Sequence, residues 1–374
     1  MRNFFADFRV FIKKLDMWLL ILSIITSVFG IILISSATAS YNSGTFVKVQ
    51  LFAMLIGVGL YILISLIDLE SVCGAWKILY VLNMILIGSL LIFGTGSETT
   101  GNRAWIRFGP IGIQPGEFGK ILFILTLSGH IYQMREGLPS IKCIGLLIVH
   151  GMIPIGMVIL ISQDLGTALV YLFIFLVMLF FTGLKLRWFI GAGALVGAAA
   201  PLLWPLLNNY QQLRILVVFN PELDPLGKGY QAIQSKIALG SGGLFGRGLY
   251  NGTQTQYGYL PAKHTDFIFA AAGEELGLVG CIVICILIIM IIVHCIKIAR
   301  RSVGTSAAFV CIGVSAMLIF QFVENVGMCL GMLPVIGITL PFFSYGGSSV
   351  LTIFMAMGLI SCAKMRSAPK WISE

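Results

Sequence analysis

Residues Gly229–Gly280 read GYQAIQSKIALGSGGLFGRGLYNGTQTQYGYLPAKHTDFIFAAAGEELGLVG, the longest polar stretch of an otherwise strongly apolar chain. The stretch is rich in Gly, Gln, Ser and Thr, and it passes through His264-Thr265-Asp266 directly into an apolar run. A membrane protein with so much polar, glycine-rich sequence in one place is expected to build a site at the water boundary. We expect the rest of the chain to be the scaffold that positions this loop.

The composition indicates a membrane protein. Of 374 residues, 58% are hydrophobic and only 10% are charged, which is far from the balance of a soluble domain. A helix needs roughly 20 apolar residues to cross a bilayer. The stretches that approach or reach this length are 16–37, 46–67, 76–94, 117–134, 141–161, 165–182, 187–207, 267–293, 306–331 and 339–362. We therefore expect one all-α polytopic membrane domain over residues 1–374, with about ten transmembrane helices and a large extracellular loop between helices 7 and 8.

The net charge of +9 does not require a nucleic-acid partner, because the basic residues alternate with the apolar stretches and membrane orientation explains most of them. Placing the N-terminus, with Arg2 and Arg9, in the cytoplasm satisfies the positive-inside rule and predicts that both termini are cytoplasmic. The basic residues that then fall on the outer side are Lys48, Arg103, Arg107, Lys120, Arg214, Lys228, Lys236, Arg247 and Lys263. Most of them lie in the two predicted outer loops, 95–117 and 208–265, which we expect to carry the site.

The eight cysteines and four histidines predict neither a metal site nor a disulfide framework, since no spacing suits zinc and most of these residues lie in or beside apolar stretches. Only His264 has polar neighbours in the sequence.

Charged residues flank the start of the fourth apolar stretch. Gln114-Pro115-Gly116-Glu117 is typical of a helix start, and Lys120 follows Glu117 by three residues, so the two side chains share one helix face. They form either an ion pair of purely structural value or part of a site. Asp164, before the sixth apolar stretch, is explained by a role as helix N-cap. This role is compatible with a carboxylate that faces an outer vestibule. Trp105 is equally explained as a membrane-interface anchor.

The polar loop itself offers two kinds of ligand group. Leu239–Gly248 has enough glycine to bring backbone amides close to an anion, although flexible linkers share that composition. Gly252–Gly258 adds Gln and Thr side chains of the kind that bind sugar hydroxyls. Asp266 follows at the threshold of the eighth apolar stretch. At about 100° per residue we expect Glu274 to face the same side as Asp266, and Glu275 the opposite side.

The ninth apolar stretch carries Glu324 and Asn325 and is followed by Gly331–Ser349, which contains two prolines and a Ser-Tyr-Gly-Gly-Ser-Ser turn. Non-helical backbone at membrane depth persists only where it is buried in protein or lines a wet cavity. The sequence therefore predicts a re-entrant segment here.

Four blocks of sequence carry a resemblance to a known family. They are Gln163–Ala168 (QDLGTA), Gly240–Gly248 (GSGGLFGRG), His264–Ala270 with Gly273–Gly277 (HTDFIFA and GEELG), and Leu340–Ser348 (LPFFSYGGS). In these blocks the chain resembles the SEDS family (shape, elongation, division and sporulation), whose members include RodA, FtsW and SpoVE. The resemblance covers essentially the whole chain, and Asn325–Met328 favours RodA.

The resemblance implies a ten-helix peptidoglycan glycosyltransferase of the bacterial cytoplasmic membrane, which polymerises lipid II at the outer face for cell elongation, shape or division. It implies that Asp266 is the catalytic acid/base residue. The residues expected to bind the substrate are Arg103, Trp105, Arg107, Glu117, Lys120, Asp164, Arg247, Lys263, His264, Glu274, Ser344 and Ser348. Among the departures from the family pattern, Ala262 stands where relatives often have glutamate, which removes a second acidic group from this position.

The predicted chemistry fits these residues, because lipid II is an undecaprenyl-diphosphate-linked disaccharide-peptide. Its diphosphate requires cations or N–H donors, and the attacking sugar hydroxyl requires a base. The expected partner is a class B penicillin-binding protein transpeptidase, together with other elongation or division machinery. The sequence leaves open a divalent cation, Mg²⁺ or Mn²⁺. It also leaves two alternative functions: a lipid II flippase or transporter, and a non-catalytic scaffold for a transpeptidase.

Overall fold

The structure is a computed structural model and describes residues 14–41, 44–96, 102–108, 111–138, 140–206, 209–302 and 305–367. Both chain termini, with Arg2 and Arg9, lie outside the described residues, as do parts of the loops 95–117 and 208–265.

Helices account for most of the described chain. They are α1 (Met17–Thr38), α2 (Gly44–Ser65), α3 (Leu69–Gly74), α4 (Trp76–Gly88), α5 (Leu90–Phe93), α6 (Pro115–Gln133), α7 (Ile141–Met157, continued by a π-helical turn at Val158–Ser162), α8 (Leu165–Phe180), α9 (Leu186–Leu203), α10 (Asn209–Phe219), α11 (Lys228–Ser241), α12 (Thr253–Gln256), α13 (Ile268–Arg301), α14 (Ser306–Cys329) and α15 (Gly347–Ser367). The strands β1 (Ile106–Phe108) and β2 (Ile111–Ile113) form an antiparallel hairpin that pairs Ile106 with Ile113.

The predicted all-helical membrane architecture is confirmed. Within the described residues, seven helices are long and apolar enough to cross a membrane, judged by length and composition. Shorter apolar helices lie at 165–180 and 186–199. The predicted fourth span corresponds to α6, which contains Lys120 and His130 and is less apolar than its neighbours. The total of ten spans stays a prediction.

Small residues allow the central helices to approach closely. A Cβ atom on Gly57 of α2 would lie 2.8 Å from the ring of Phe354 in α15. A Cβ atom on Gly30 of α1 would lie 2.5 Å from the carbonyl oxygen of Phe342, in the segment before α15. Close approach of helices through small residues is the usual packing mode where no water drives association.

One end of the bundle is joined by a buried ionic cluster around Asp16. The Asp16 carboxylate accepts hydrogen bonds from His294 of α13 at 2.6 Å and from Lys364 of α15 at 2.8 Å. Burial acts to raise the pKa of Asp16, but these bonds and the charges of His294 and Lys364 outweigh it and lower the pKa. Three helices that are distant in sequence are thereby held together at this end.

The long helix α13 is interrupted at Gly277, whose φ of 68° and ψ of −164° are not helical. The glycine-rich segment 242–250 lies against this break and supplies the hydrogen-bond partners that the interrupted helix lacks. The bonds are Arg247 N–H to Glu274 O (3.0 Å), Gly248 N–H to Glu275 O (2.9 Å), Leu278 N–H to Gly243 O (2.9 Å) and Val279 N–H to Leu244 O (3.1 Å).

This arrangement corrects two expectations. The eighth span is not a continuous helix, because Gly277 breaks it. The amides of Arg247 and Gly248 do not form an anion cradle, because the carbonyl oxygens of α13 accept their hydrogen bonds.

The re-entrant segment predicted after the ninth span is present between α14 and α15, and α15 begins at Gly347 rather than near residue 339. The segment is buried in protein, with Leu340 and Phe343 almost fully enclosed. Asn325 donates to the carbonyl oxygen of Ile338 at 2.7 Å, and Gln50 of α2 donates to that of Ser344 at 3.0 Å. Side chains thus satisfy backbone groups that a helix would have paired, as membrane depth requires.

Candidate active site

Asp266 lies in a tight turn that leads from the polar loop into α13. The N–H groups of Thr265 and Phe267 both donate to the carbonyl oxygen of Ala262 at 3.1 Å. Ala262 has a left-handed φ of 47°. The turn therefore fixes the backbone on both sides of Asp266.

The carboxylate of Asp266 does not cap the helix. The N-cap of α13 is Phe267, and no side chain caps this helix end. A structural explanation of Asp266 as N-cap is therefore contradicted, although an aspartate before a helix usually has that role.

Protein surrounds the carboxyl group of Asp266, although the residue as a whole is partly exposed. This burial raises the pKa of Asp266. The positive charge of Lys228 acts to lower this pKa, the negative charge of Asp164 acts to raise it, and a hydrogen bond from Thr265 acts to lower it. The net effect is a carboxyl group whose pKa is above that of an ordinary aspartate. A raised pKa brings a carboxylate closer to the strength that a general base needs near neutral pH.

Two other segments hold Asp266 in place. The side-chain amide of Asn325 in α14 donates to the backbone carbonyl oxygen of Asp266 at 2.8 Å. The re-entrant segment passes beside the carboxylate at Gly337, where a Cβ atom would lie 3.3 Å from Asp266 Oδ2. Gly337 also has a positive φ of 78°. The carboxylate is therefore approached from one side by backbone that has no side chain.

Asp164 is the N-cap of α8, as the sequence predicted. Its Oδ1 atom accepts the N–H of Thr167 at 3.0 Å, and its Oδ2 atom accepts the Thr167 hydroxyl at 2.8 Å and the Gln114 amide at 3.2 Å. The N–H of Gln114 donates to the Ser348 hydroxyl at 3.2 Å. Gln114 thus connects Asp164 with the start of α15, and Ser348 is part of this link.

Glu117 and Lys120 form a buried ion pair near the start of α6. Lys120 Nζ lies 2.7 Å from Glu117 Oε1, and Lys120 is only 1% exposed. The second oxygen of Glu117 has no hydrogen-bond partner among the described residues. The pair is close to the residues that hold Asp164, because a Cβ atom on Gly116, next to Glu117, would lie 3.1 Å from Thr167, which donates to Asp164.

Lys228, the first residue of α11, is the cation whose charge acts on Asp266. It is partly buried, and its ammonium group donates to Gln231 at 3.2 Å. Sequence analysis placed Lys228 among the outer basic residues but did not assign it to the site. The link to Asp266 depends on how the loop folds back, which no local pattern reveals.

Trp105 lies beside the β1–β2 hairpin, where its backbone pairs with Thr95 and its ring packs on Gly112. Arg107 pairs with Gly112 in the hairpin, and its side chain is exposed. The backbone N–H of Arg103, which also has an exposed side chain, donates to Ser162 at 3.0 Å, two residues before Asp164. Arg103 is therefore held next to the turn that contains Asp164, and Arg107 lies in the hairpin that follows it.

Lys263 is enclosed by protein rather than directed to a vestibule. Its ammonium group donates to the hydroxyl of Ser40 at 2.7 Å and to the carbonyl oxygen of Thr255, and it lies 4.6 Å from the ring centre of Tyr41. Burial lowers the pKa of Lys263, while the charges of Glu275 and Glu274 oppose that effect. These contacts engage the N–H donors of Lys263, which were predicted to bind the substrate.

His264 and Ser344 join the turn before α13 to the re-entrant segment. Tyr345 N–H donates to the carbonyl oxygen of His264 at 2.8 Å, and the Ser344 hydroxyl donates to that of Thr265 at 2.6 Å. The imidazole of His264 packs against Phe46, and burial lowers its pKa, as does the charge of Lys263. The Nδ1 atom of His264 has no partner among the described residues.

Glu274 anchors the short helix α12. Its carboxylate accepts the N–H groups of Gln254 and Thr255 at 2.7 and 2.8 Å and the hydroxyls of Thr253 and Thr255 at 3.2 and 2.7 Å. Arg247, also predicted to bind the substrate, is exposed and donates to Thr253 at 3.0 Å.

The orientation expected for the two glutamates is therefore incorrect. Glu275 contacts Gln256 at 2.8 Å, so both carboxylates hold α12, and Glu274 is not directed with Asp266 to one cavity.

A cavity of about 660 Å³ does not contain any of the predicted site residues. It lies at the opposite end of α6 from Glu117 and is lined by residues that include Trp76, Lys77, Tyr132 and Arg135. Asp266 lies outside this cavity and is partly exposed. In the described part of the chain, no group of three or more His, Cys, Asp or Glu residues is arranged to hold a metal ion.

The structure thus brings Asp266, Asp164, Glu117 and Lys120 to one end of the bundle, with Lys228 added to them. It places Lys263, His264, Glu274 and Ser344 in the packing that holds the loop. Asn325 of α14 contacts Asp266, and the charge of Asp266 acts on Glu324 of the same helix. The only sequence signal for this pair was the presence of polar residues in an apolar helix.

Comparison with known proteins is consistent with this arrangement. The family model of the FtsW/RodA/SpoVE cell cycle proteins matches residues 14–368. Peptidoglycan glycosyltransferase MrdB of Escherichia coli K12 is 38% identical over 308 residues, which are 82% of this chain and 82% of MrdB. Stage V sporulation protein E of Bacillus subtilis is 36% identical over 352 residues, which are 92% of this chain and 95% of that protein.

Solved structures share the fold. A chain of a peptidoglycan synthase complex that coordinates polymerization and crosslinking superposes with a TM-score of 0.81 at 31% identity, covering 95% of this chain and 99% of that one. The crystal structure of Thermus thermophilus rod shape determining protein RodA gives a TM-score of 0.70 at 27% identity, covering 95% of this chain and 98% of RodA. The resemblance seen in the sequence motifs is therefore confirmed, and the chain belongs to the FtsW/RodA/SpoVE family of cell cycle proteins.

Proposed function

We propose that this chain is a peptidoglycan glycosyltransferase that polymerises lipid II into glycan strands at the outer face of the bacterial cytoplasmic membrane. The observation that carries the proposal is Asp266, a partly exposed residue whose carboxyl group has a raised pKa and caps no helix. The relatives named as peptidoglycan glycosyltransferases support the same activity.

The reaction needs a group that removes a proton from the acceptor sugar hydroxyl as it attacks the anomeric carbon of the donor. A new C–O bond forms, the bond from the anomeric carbon to the diphosphate oxygen breaks, and the lipid diphosphate leaves with the electron pair. We assign the proton to Asp266, whose raised pKa suits a general base. The bond from Asn325 to the Asp266 carbonyl keeps the residue in position.

The donor diphosphate requires positive charge near the vestibule. Arg103 before the hairpin and Arg107 in β1 are exposed, and the charge of Lys228 acts on Asp266. Charge-assisted bonds from such groups to phosphate oxygens are among the stronger hydrogen bonds in proteins. We assign the diphosphate to these three cations rather than to Lys263, whose donors are already engaged.

The orientation and partners belong to the same proposal. Both termini are cytoplasmic, the loops 95–117 and 208–265 face outward, and a class B penicillin-binding protein transpeptidase is the partner. The positive-inside distribution of Lys and Arg supports the orientation. A chain of similar fold that belongs to a peptidoglycan synthase complex supports the partner.

One experiment separates this function from the two alternatives. The full-length protein, purified together with its co-purifying transpeptidase, is reconstituted into vesicles and supplied with lipid II. We expect glycan polymer, detected by gel separation of labelled product. Lipid II that crosses the bilayer without being linked would instead identify a flippase. A preparation that neither polymerises nor translocates lipid II would identify a scaffold.

A further inference from the structure

Three polar residues lie on one face of α14, inside the protein. Gln321, Glu324 and Asn325 are 1%, 4% and 0% exposed. Their spacing of three and four residues places them side by side along one helix face. The turn with Asp266 packs against this face, because Asn325 donates to the Asp266 carbonyl oxygen at 2.8 Å.

This face contains acceptor atoms without donors. Both carboxyl oxygens of Glu324, the Oε1 atom of Gln321 and the Oδ1 atom of Asn325 have no hydrogen-bond partner among the described residues. The orientation of the Asn325 amide is fixed, since its nitrogen donates to Asp266 and, at 2.7 Å, to Ile338. Buried acceptors of this kind are normally paired.

A proton on Glu324 resolves the imbalance. An ionised carboxylate in this position would be a buried charge with no counter-ion and no donor, which is strongly unfavourable. The protonated carboxyl group is neutral, and its O–H can donate to one of the unpartnered acceptor atoms of this face. The side chain therefore does not behave as a second negative charge while Asp266 is ionised.

We propose that Glu324 is protonated and forms with Asp266 a coupled carboxyl pair that carries one negative charge, located on Asp266. Glu324 is then a positioning residue that acts through Asp266 and does not touch the substrate. Two nearby carboxyl groups rarely ionise together, because the charge on one disfavours the charge on the other. The pair keeps the base in its ionised form and the buried partner in its neutral form.

Other charged and polar groups lie around Asp266, but none of them provides a second carboxyl partner for Glu324. Lys228 of α11 and Asp164 before α8 act on Asp266, and Thr265 hydrogen-bonds to it. The thiol of Cys329, one turn beyond Asn325, lies 3.9 Å from the Asp266 carbonyl oxygen. The charge of Asp266 acts on Glu324, whereas the Glu117 carboxylate is already paired with Lys120.

The first test needs no enzymatic activity. Dicyclohexylcarbodiimide, an apolar reagent, modifies protonated carboxyl groups, and the labelled peptide is quantified by mass spectrometry over a series of pH values. We expect Glu324 to be labelled in the wild-type protein and to lose labelling as the pH rises. Asp266→Asn should move the midpoint of that loss down by roughly one pH unit, because a neighbouring negative charge is removed.

A matched control is available in Glu275, which is 2% exposed but bonded to Ser36 and Gln256. Asp266→Asn should leave the pH dependence of any Glu275 labelling unchanged. An unlabelled Glu324 at every pH, or a midpoint that is the same in wild type and Asp266→Asn, would overturn the proposal.

The second test rests on the proposed function. Polymerisation by the wild-type protein should show an inflection at the pH where Glu324 labelling disappears, and Glu324→Gln should remove that inflection while keeping the one that belongs to Asp266. If Glu324→Gln lowers the polymerisation rate by the same factor at every pH, the role of Glu324 is purely structural and the proposal is contradicted. If no variant polymerises lipid II, the proposed function fails, while the labelling shift still decides whether the pair is coupled.

Discussion

Replacing Gly277 by alanine should destabilise the protein more than any ordinary loop substitution. Gly277 has φ 68° and ψ −164°, a backbone region that is essentially restricted to glycine. A Cβ atom there would lie 2.3 Å from the nitrogen of Gly246 and 2.6 Å from the carbonyl group of Leu244. Both neighbours are backbone atoms, so neither can rotate away.

The cost can be estimated from the contacts that depend on this glycine. Strain in this backbone region costs roughly 1–3 kcal/mol. The clash also separates the segments that share four backbone hydrogen bonds, each worth about 1 kcal/mol. The sum, about 5–7 kcal/mol, is a large part of the roughly 5–15 kcal/mol by which folded proteins are stable. At about 2.1 cal/mol/K per residue for the unfolding entropy, this corresponds to a fall in Tm of roughly 5–10 °C.

Thermal unfolding in detergent, followed with a thiol-reactive dye, suits this chain because all eight cysteines are free and six are buried. The matched control is Gly243→Ala in the same segment. Gly243 also has a positive φ, 56°, but a Cβ atom there would meet nothing within 4 Å, so only about 1–2 kcal/mol of strain is expected. Equal melting temperatures for the two variants would refute the account of the break in α13.

Three further predictions concern the candidate site. Lys120→Met leaves the buried Glu117 carboxylate unpaired and should cost about 3–5 kcal/mol in thermal unfolding, whereas adding Glu117→Gln should recover part of that loss; additive costs would show that the ion pair does not couple the residues. Lys228→Gln removes a charge that lowers the pKa of Asp266, so the acid limb of the polymerisation profile should move to higher pH, and an unmoved limb would exclude this role. Arg103→Gln and Arg107→Gln should each weaken lipid II binding by about 10- to 100-fold, the equivalent of one charge-assisted bond. Lys263→Gln should mainly lower the melting temperature. Weaker lipid II binding in Lys263→Gln, with unchanged binding in the two arginine variants, would instead place Lys263 at the diphosphate.

The features predicted correctly from the sequence are those that depend on neighbouring residues. Apolar runs of helical length gave the long helices, because membrane insertion depends on local hydrophobicity. Asp164 was assigned as a cap and Glu117 with Lys120 as a pair, since both interactions lie within one helical turn. The re-entrant segment followed from its own glycines and prolines.

The features that were missed depend on contacts between distant segments. Glycine run 242–248 suggested an anion cradle, but its amides bond to a helix break about 30 residues later in the chain. Lys263 was assigned to the diphosphate, although Ser40 and Tyr41 of the first span's C-terminal end enclose it. Asn325 of α14 contacts Asp266 from 59 positions away in the sequence, and Lys228, whose charge acts on Asp266, lies in a different helix, α11. Such pairings leave no trace in local sequence.

The central claim is that Asp266 acts as the base in lipid II polymerisation, and Asp266→Asn tests it most directly. Asparagine has nearly the same shape but cannot accept the proton of the sugar hydroxyl. Since Asp266 caps no helix, the variant should fold, melt and bind its partner like the wild type.

The measurement is the initial rate of glycan polymer formation by the purified variant, with its melting temperature as the control for folding. We expect a loss of about 10²–10⁴-fold, the usual effect of removing a positioned general base. A folded Asp266→Asn protein that polymerises lipid II at close to the wild-type rate would contradict the account and move the search for the base to Glu117 or Asp164.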